Sequence, residues 1–171
     1  MLYHGSTIPG LQYIEANSKS HTSGANVAYF TSDRCYALVS CRDRNNNFIT
    51  MGKKSDGKQH YFERFPNQLK TIYGGKKGYL YIINSSEGFK NTTGNTWEST
   101  TSVPVDKCEY IADVYKEILQ EEAFGRVVIH RYSEIDIVEQ KMHANYIKNH
   151  LDDQGMDMKE FNVTYFSSLW D

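Results

Sequence analysis

The hydrophobic pattern of this chain changes period part-way along. Up to about residue 105 the apolar residues come in short runs: Leu2-Tyr3-His4, Val27 to Thr31, Phe48 to Met51, Gln59 to Phe62, Gly78 to Ile83 and Thr96 to Val105. Runs of this length, rich in β-branched and aromatic residues and bounded by Gly, Asn, Asp and Ser, read as strands. From Asp106 onward Ile111, Val114, Tyr115, Ile118 and Leu119 recur at three and four, the spacing of an amphipathic helix. After a brief strand at Val127-Val128-Ile129, Ser133-Glu134-Ile135-Asp136 opens a second helix whose apolar positions are Ile135, Val138, Met142, Tyr146 and Ile147. Strands with short helices between them first, at Cys35 to Cys41 and after Pro66, and helices after about residue 105 exclude an alternating βαβ sheet. They predict an α+β fold: a β-rich core over residues 1–105 and a helical C-terminal extension over 106–171, packed on that core. Four aromatics near the end, Phe161, Tyr165, Phe166 and Trp170, predict a docked tail.

Composition narrows the functional classes. Lys and Arg number 19 against 21 Asp and Glu, a net charge of −2, which excludes a wholesale basic coat for nucleic acid. No run approaches the ~18 apolar residues of a membrane span, so no membrane partner is expected. The start, Met1 to Ser6, has neither the basic nor the apolar region of a signal peptide. Three cysteines at scattered positions suit reduced thiols, so a cytoplasmic location is expected and the Asn-x-Ser/Thr triplets at Asn84, Asn91 and Asn162 carry no sugar. No metal is expected. His60 and the pair His143 and His150 lack further partners, and Cys35 and Cys41 lack zinc spacing. Gly74-Gly75-Lys76-Lys77-Gly78 lacks the Gly-Lys-Ser/Thr of a phosphate loop. Lys53, Lys54 and Lys58 read as the solvated tip of a hairpin turning at Asp56-Gly57.

Three short stretches carry chemistry. In Tyr3-His4-Gly5-Ser6 a histidine at a strand end precedes a glycine, which lets a flat ligand approach the main chain. In Ala28-Tyr29-Phe30-Thr31-Ser32-Asp33 an aromatic at a strand end, followed by Tyr36 on the next helix, can wall a flat pocket. In Trp97-Glu98-Ser99 a glutamate stands on a strand that is otherwise uncharged, where burial costs several kcal/mol without a partner. Residues 15–26, polar and long for a loop, suit a binding or lid segment.

In order and spacing these stretches resemble the ADP-ribosyltransferase fold of the diphtheria-toxin and poly-ADP-ribose polymerase type, with its His-Tyr-Glu triad on three strands. The resemblance covers residues 1–105. It implies NAD as substrate, cleavage of the nicotinamide–ribose bond, and catalytic roles for Glu98, His4 and Tyr29. His4 would bond the ribose, Gly5 and its neighbour Ser6 would lie along the carboxamide, Tyr29 and Tyr36 would stack on the ring, and Glu98 would hold the ribose 2′-hydroxyl. Glu109 ranks below Glu98 because it falls where the helical pattern begins. Thr96 stands where arginine-specific members carry an amide or carboxylate, which argues against arginine as acceptor. The resemblance leaves the acceptor open: an unknown macromolecule, protein rather than nucleic acid, or water. The alternative on the same fold is a non-catalytic module that binds NAD, ADP-ribose or a protein.

Overall fold

The computed structural model describes residues 1–43, 48–153 and 155. The expected docked tail lies outside the described residues. The chain opens with β1 (Leu2–Ser6), β2 (Tyr13–Ile14), β3 (Ser18–Lys19), β4 (Asn26–Thr31) and α1 (Arg34–Val39). Next come β5 (Thr50–Lys53), β6 (Gln59–Phe62), α2 (Gln68–Tyr73), β7 (Gly78–Ile83), β8 (Lys90–Thr93) and β9 (Thr96–Ser99). It continues through β10 (Val103–Pro104), β11 (Lys107–Ile111), α3 (Val114–Ala123), β12 (Val127–His130) and α4 (Ile137–Asp153). The fold is mixed α+β and rich in sheet. No helix among the described residues is long and apolar enough to cross a membrane.

Contacts divide the chain into two compact units, each built from two separate stretches. Of the described residues, the first unit holds 1–43 and 73–121, the second 48–72, 122–153 and 155.

The first unit is organised on one sheet in the order β11-β7-β1-β4-β9-β8, with β3 added on β4. All its pairings are antiparallel. Leu2, Ala28, Phe30, Tyr81 and Ile83 leave one face of this sheet and pack with Ile14 and Val103 of the small β2–β10 ladder. On the other face α1 comes close enough to β1 that a Cβ on Gly5 would lie 1.8 Å from the Ala37 carbonyl oxygen. Only glycine permits that approach. Gly78 on β7 does the same for Cys41 and Val114.

Two expectations change here. Residues 107–111 form β11, a strand, where the sequence suggested the start of a helix. Main-chain pairing with β7 (Cys108 opposite Tyr81, Tyr110 opposite Tyr79) overrides the three-and-four spacing, and the helix begins only at Val114. The boundary expected near residue 105 therefore falls between two strands, the second of which belongs to the main sheet. The single strand expected over 96–105 is two, β9 in the main sheet and β10 paired with β2.

The second unit holds a three-stranded sheet, β12-β6-β5. The Asp56-Gly57 turn closes the expected antiparallel β5–β6 hairpin, with Gly57 at a φ of 79°. β12 pairs with β6 in parallel. Asp136, not Ser133, caps α4, its carboxylate accepting the Glu139 N–H at 2.9 Å. The buried positions of α4 are Ala144, Ile147 and Leu151, whereas Val138 and Met142, expected inside, are 66% and 64% exposed.

Candidate functional site

β1 and β4 are neighbours, yet they pair at one position only, Tyr3 opposite Thr31. Beyond that bridge the ladder stops, and the His4 imidazole takes its place: Nδ1 lies 2.9 Å from the Tyr29 carbonyl oxygen. A carbonyl can only accept, so Nδ1 carries the hydrogen, and neutral His4 presents Nε2 as an acceptor. Tyr29 in turn stands directly opposite Glu98 on β9. The three residues singled out by sequence thus sit on three consecutive strands, β1, β4 and β9, and all line one cleft of about 390 Å³.

Gly5 and Tyr36 also line this cleft. Tyr36 is set by the start of α1, where Asp33 caps the helix by accepting the Tyr36 N–H at 2.9 Å. Ser6 is not brought to the cleft wall; its hydroxyl accepts the Ile8 N–H at 3.1 Å and shapes the turn that follows β1. Tyr3 contributes a phenol whose ionisation is pushed above the ordinary value by burial, an effect Arg34 partly offsets, so it remains a donor. Glu109 lies apart from the cleft wall. With Glu117 and Glu121 it surrounds the Arg34 guanidinium at 2.6 to 2.8 Å.

The loop between β3 and β4 supplies what the sequence left anonymous. Ser20 Oγ donates its one hydrogen between the two carboxylate oxygens of Glu98, at 3.1 and 3.0 Å. The same oxygen accepts the N–H groups of Thr22 and Ser23, both at 3.2 Å, which fixes the turn. The Tyr29 hydroxyl accepts the His21 N–H at 3.0 Å and donates to the Lys19 carbonyl at 3.1 Å. Residues 19–23 are therefore stapled to both Tyr29 and Glu98, and His21 and Thr22 form part of the cleft wall. The polar run over 15–26 pointed to this loop; nothing in it distinguished Ser20 from its serine neighbours.

Glu98 is the chemical centre of the arrangement. Three glutamates are buried among the described residues: Glu63, Glu98 and Glu121, at 6%, 4% and 2% exposure. Glu63 accepts two backbone N–H groups, from Leu69 at 2.9 Å and Tyr132 at 3.0 Å. Glu121 is ion-paired to Arg34 at 2.6 Å. Glu98 has one serine hydroxyl and, among the described residues, no cation within ion-pair distance. Four lone-pair sites and a full charge are met by one neutral donor, in a cleft otherwise walled by aromatic rings, imidazoles and hydroxyls. A carboxylate held this way suits a ligand that brings hydroxyl donors and positive charge.

Comparison of the chain with protein-family models, with curated proteins and with solved structures found no match.

Proposed function

We propose that the first unit is an ADP-ribosyltransferase-like domain, that its cleft binds NAD as substrate, and that it breaks the bond between nicotinamide and ribose. The observation that carries this reading is the convergence of His4, Tyr29 and Glu98, from three adjacent strands, on one cleft in which Glu98 is buried with no cation in ion-pair distance among the described residues. The residues suit the substrate. The rings of Tyr29 and Tyr36 offer flat walls for a pyridinium. Gly5, past the single β1–β4 pair of Tyr3 with Thr31, brings main chain without a side chain to the cleft wall, where a carboxamide can lie against it. The His4 tautomer offers an acceptor to a ribose hydroxyl.

The reaction balances simply. The C1′–N bond breaks and its electron pair neutralises the ring nitrogen. C1′ takes on oxocarbenium character. The acceptor's lone pair then bonds to C1′ and the acceptor loses a proton. Glu98 accepts the 2′-hydroxyl and places negative charge beside the developing cation; preorganised groups of this kind contribute about 10²–10³ in rate each. The acceptor is left open: an unknown macromolecule, protein rather than nucleic acid, or water.

Nicotinamide release from NAD by the purified chain, followed by chromatography with and without cell extract as acceptor, tests the reading. Wild type releases nicotinamide, and Glu98→Gln lowers release at least ~10²-fold with circular dichroism unchanged. No release under any condition overturns the enzyme. Saturable NAD binding in a calorimeter without release assigns the cleft to a non-catalytic binding module instead.

A further inference from the structure

We propose, resting on the reading above, that the cleft selects its substrate by the pyridinium charge and not by the phosphates, so that its substrate class is N-ribosyl pyridinium compounds in general, nicotinamide riboside as well as NAD. The charge distribution of the first unit argues for this. Among the described residues that line the cleft, none is lysine or arginine, and the one fixed charge is the Glu98 carboxylate. A dinucleotide carries two phosphate charges that other folds meet with arginine, lysine or a helix N-terminus. Here the neighbouring helix, α1, is six residues long and begins on the Asp33 carboxylate. The arginine that follows, Arg34, is surrounded by Glu109, Glu117 and Glu121, so the cluster as a whole is acidic.

Two lysines stand on strands that border the cleft. Lys90 on β8 stands opposite Glu98, and Lys19 ends β3; both are exposed, and neither makes an ion pair among the described residues. Exposed lysines of this kind contribute little and are screened by salt. The groups buried in the cleft therefore recognise the nicotinamide riboside half, and the described residues of the cleft wall offer no fixed counter-charge to what hangs from its 5′-oxygen. Hydrolysis of the riboside follows the same balance as above. The C1′–N bond breaks onto the ring nitrogen, water oxygen bonds to C1′, and one proton is released.

The test is run at pH 8, above the ordinary range of an imidazole. Turnover of nicotinamide riboside and of NAD is compared for wild type, Glu98→Gln and a Lys19→Ala/Lys90→Ala double variant. Binding of oxidised and reduced nicotinamide riboside, cationic and neutral, is measured by calorimetry. The proposal expects kcat/KM for the riboside within ~10-fold of that for NAD, and less than ~3-fold change in the double variant. It expects tighter binding of the oxidised riboside by ~10-fold, a preference that Glu98→Gln removes. NAD favoured by ~100-fold or more, with the double variant erasing that preference, overturns the proposal and leaves NAD cleavage standing. Failure to bind or turn over either compound overturns both. Equal binding of oxidised and reduced riboside overturns the charge argument alone, whatever the turnover.

Discussion

Ser20 is one hydroxyl with two duties. It supplies the Glu98 carboxylate with its hydrogen bond and terminates the turn that carries His21 and Thr22 into the cleft. Replacing it by alanine leaves a buried carboxylate without a donor, which costs about 1–3 kcal/mol. Urea denaturation of Ser20→Ala is expected to show a loss of that size. Nicotinamide release is expected to fall ~10-fold or more, mainly in kcat, because Ser20 acts through Glu98. Unchanged kcat would remove Ser20 from the site. At this scale the three residues that share the cleft stood out in the sequence, and the serine beside them did not. Glu98 stood out as an acid in an uncharged strand, and His4 and Tyr29 stood at strand ends beside Gly5 and Asp33. A serine in a polar loop is the ordinary case, and only the fold, which brings residue 20 against residue 98, gives it a task.

The elements show where pattern reading works and where pairing wins. β7 and the β5–β6 hairpin were readable because alternation, length and turn residues agreed. β11 was not, because Ile111 and Val114 happen to stand at helical spacing although one ends a strand and the other starts a helix. On α4 Ile147 faces inward as its spacing suggested, but Val138, Met142 and Tyr146 face outward, and Ala144 and Leu151 complete the buried face instead. Two predictions belong here. Gly5→Ala forces α1 off β1, since the added methyl meets the Ala37 carbonyl and no side chain can move aside. Overpacking of this kind costs about 1–3 kcal/mol or more. It displaces Tyr36 with the helix, so NAD binding is expected to weaken together with stability in a denaturation series.

The second concerns acid. His143 on α4 has its ionisation lowered from the ordinary 6.5 chiefly by burial, then by Arg64, with Glu139 pulling the other way. Its Nδ1 is buried with no hydrogen-bond partner among the described residues. Below about 6.5 the unfolded chain takes a proton that the folded chain refuses, so stability is full above that pH and falls as pH drops through it. Denaturation midpoints at pH 7.5 and 5.5 are expected to differ more for wild type than for His143→Gln; equal differences would clear His143 of this role.

For the whole molecule the thiols give a simple reporter. Cys35 and Cys41 are buried and Cys108 is exposed. Burial pushes the Cys41 thiol up to about 11, so little reactive thiolate forms there. Native protein at pH 8 is expected to react with a thiol reagent at one of its three cysteines, and denatured protein at all three. Two or more fast-reacting thiols in native protein would contradict the packing of α1 on β1 and β7. The α+β class was legible because both strand-like and helix-like runs stand out in the sequence, but the interleaving of the two units was not. Each is assembled from two separate stretches, and only contacts distant along the chain group them.

The parallel pairing of β6 with β12 has a consequence for how this protein is made. As the chain leaves the ribosome, the β5–β6 hairpin is complete early, but β12 follows only after β7 through β11 and α3 have all been translated. During that interval one side of β6 exposes its N–H and C=O groups to any strand that passes. Chains that stop short of Val127 would keep that open edge permanently, and such nascent fragments would be the ones most prone to stick to each other.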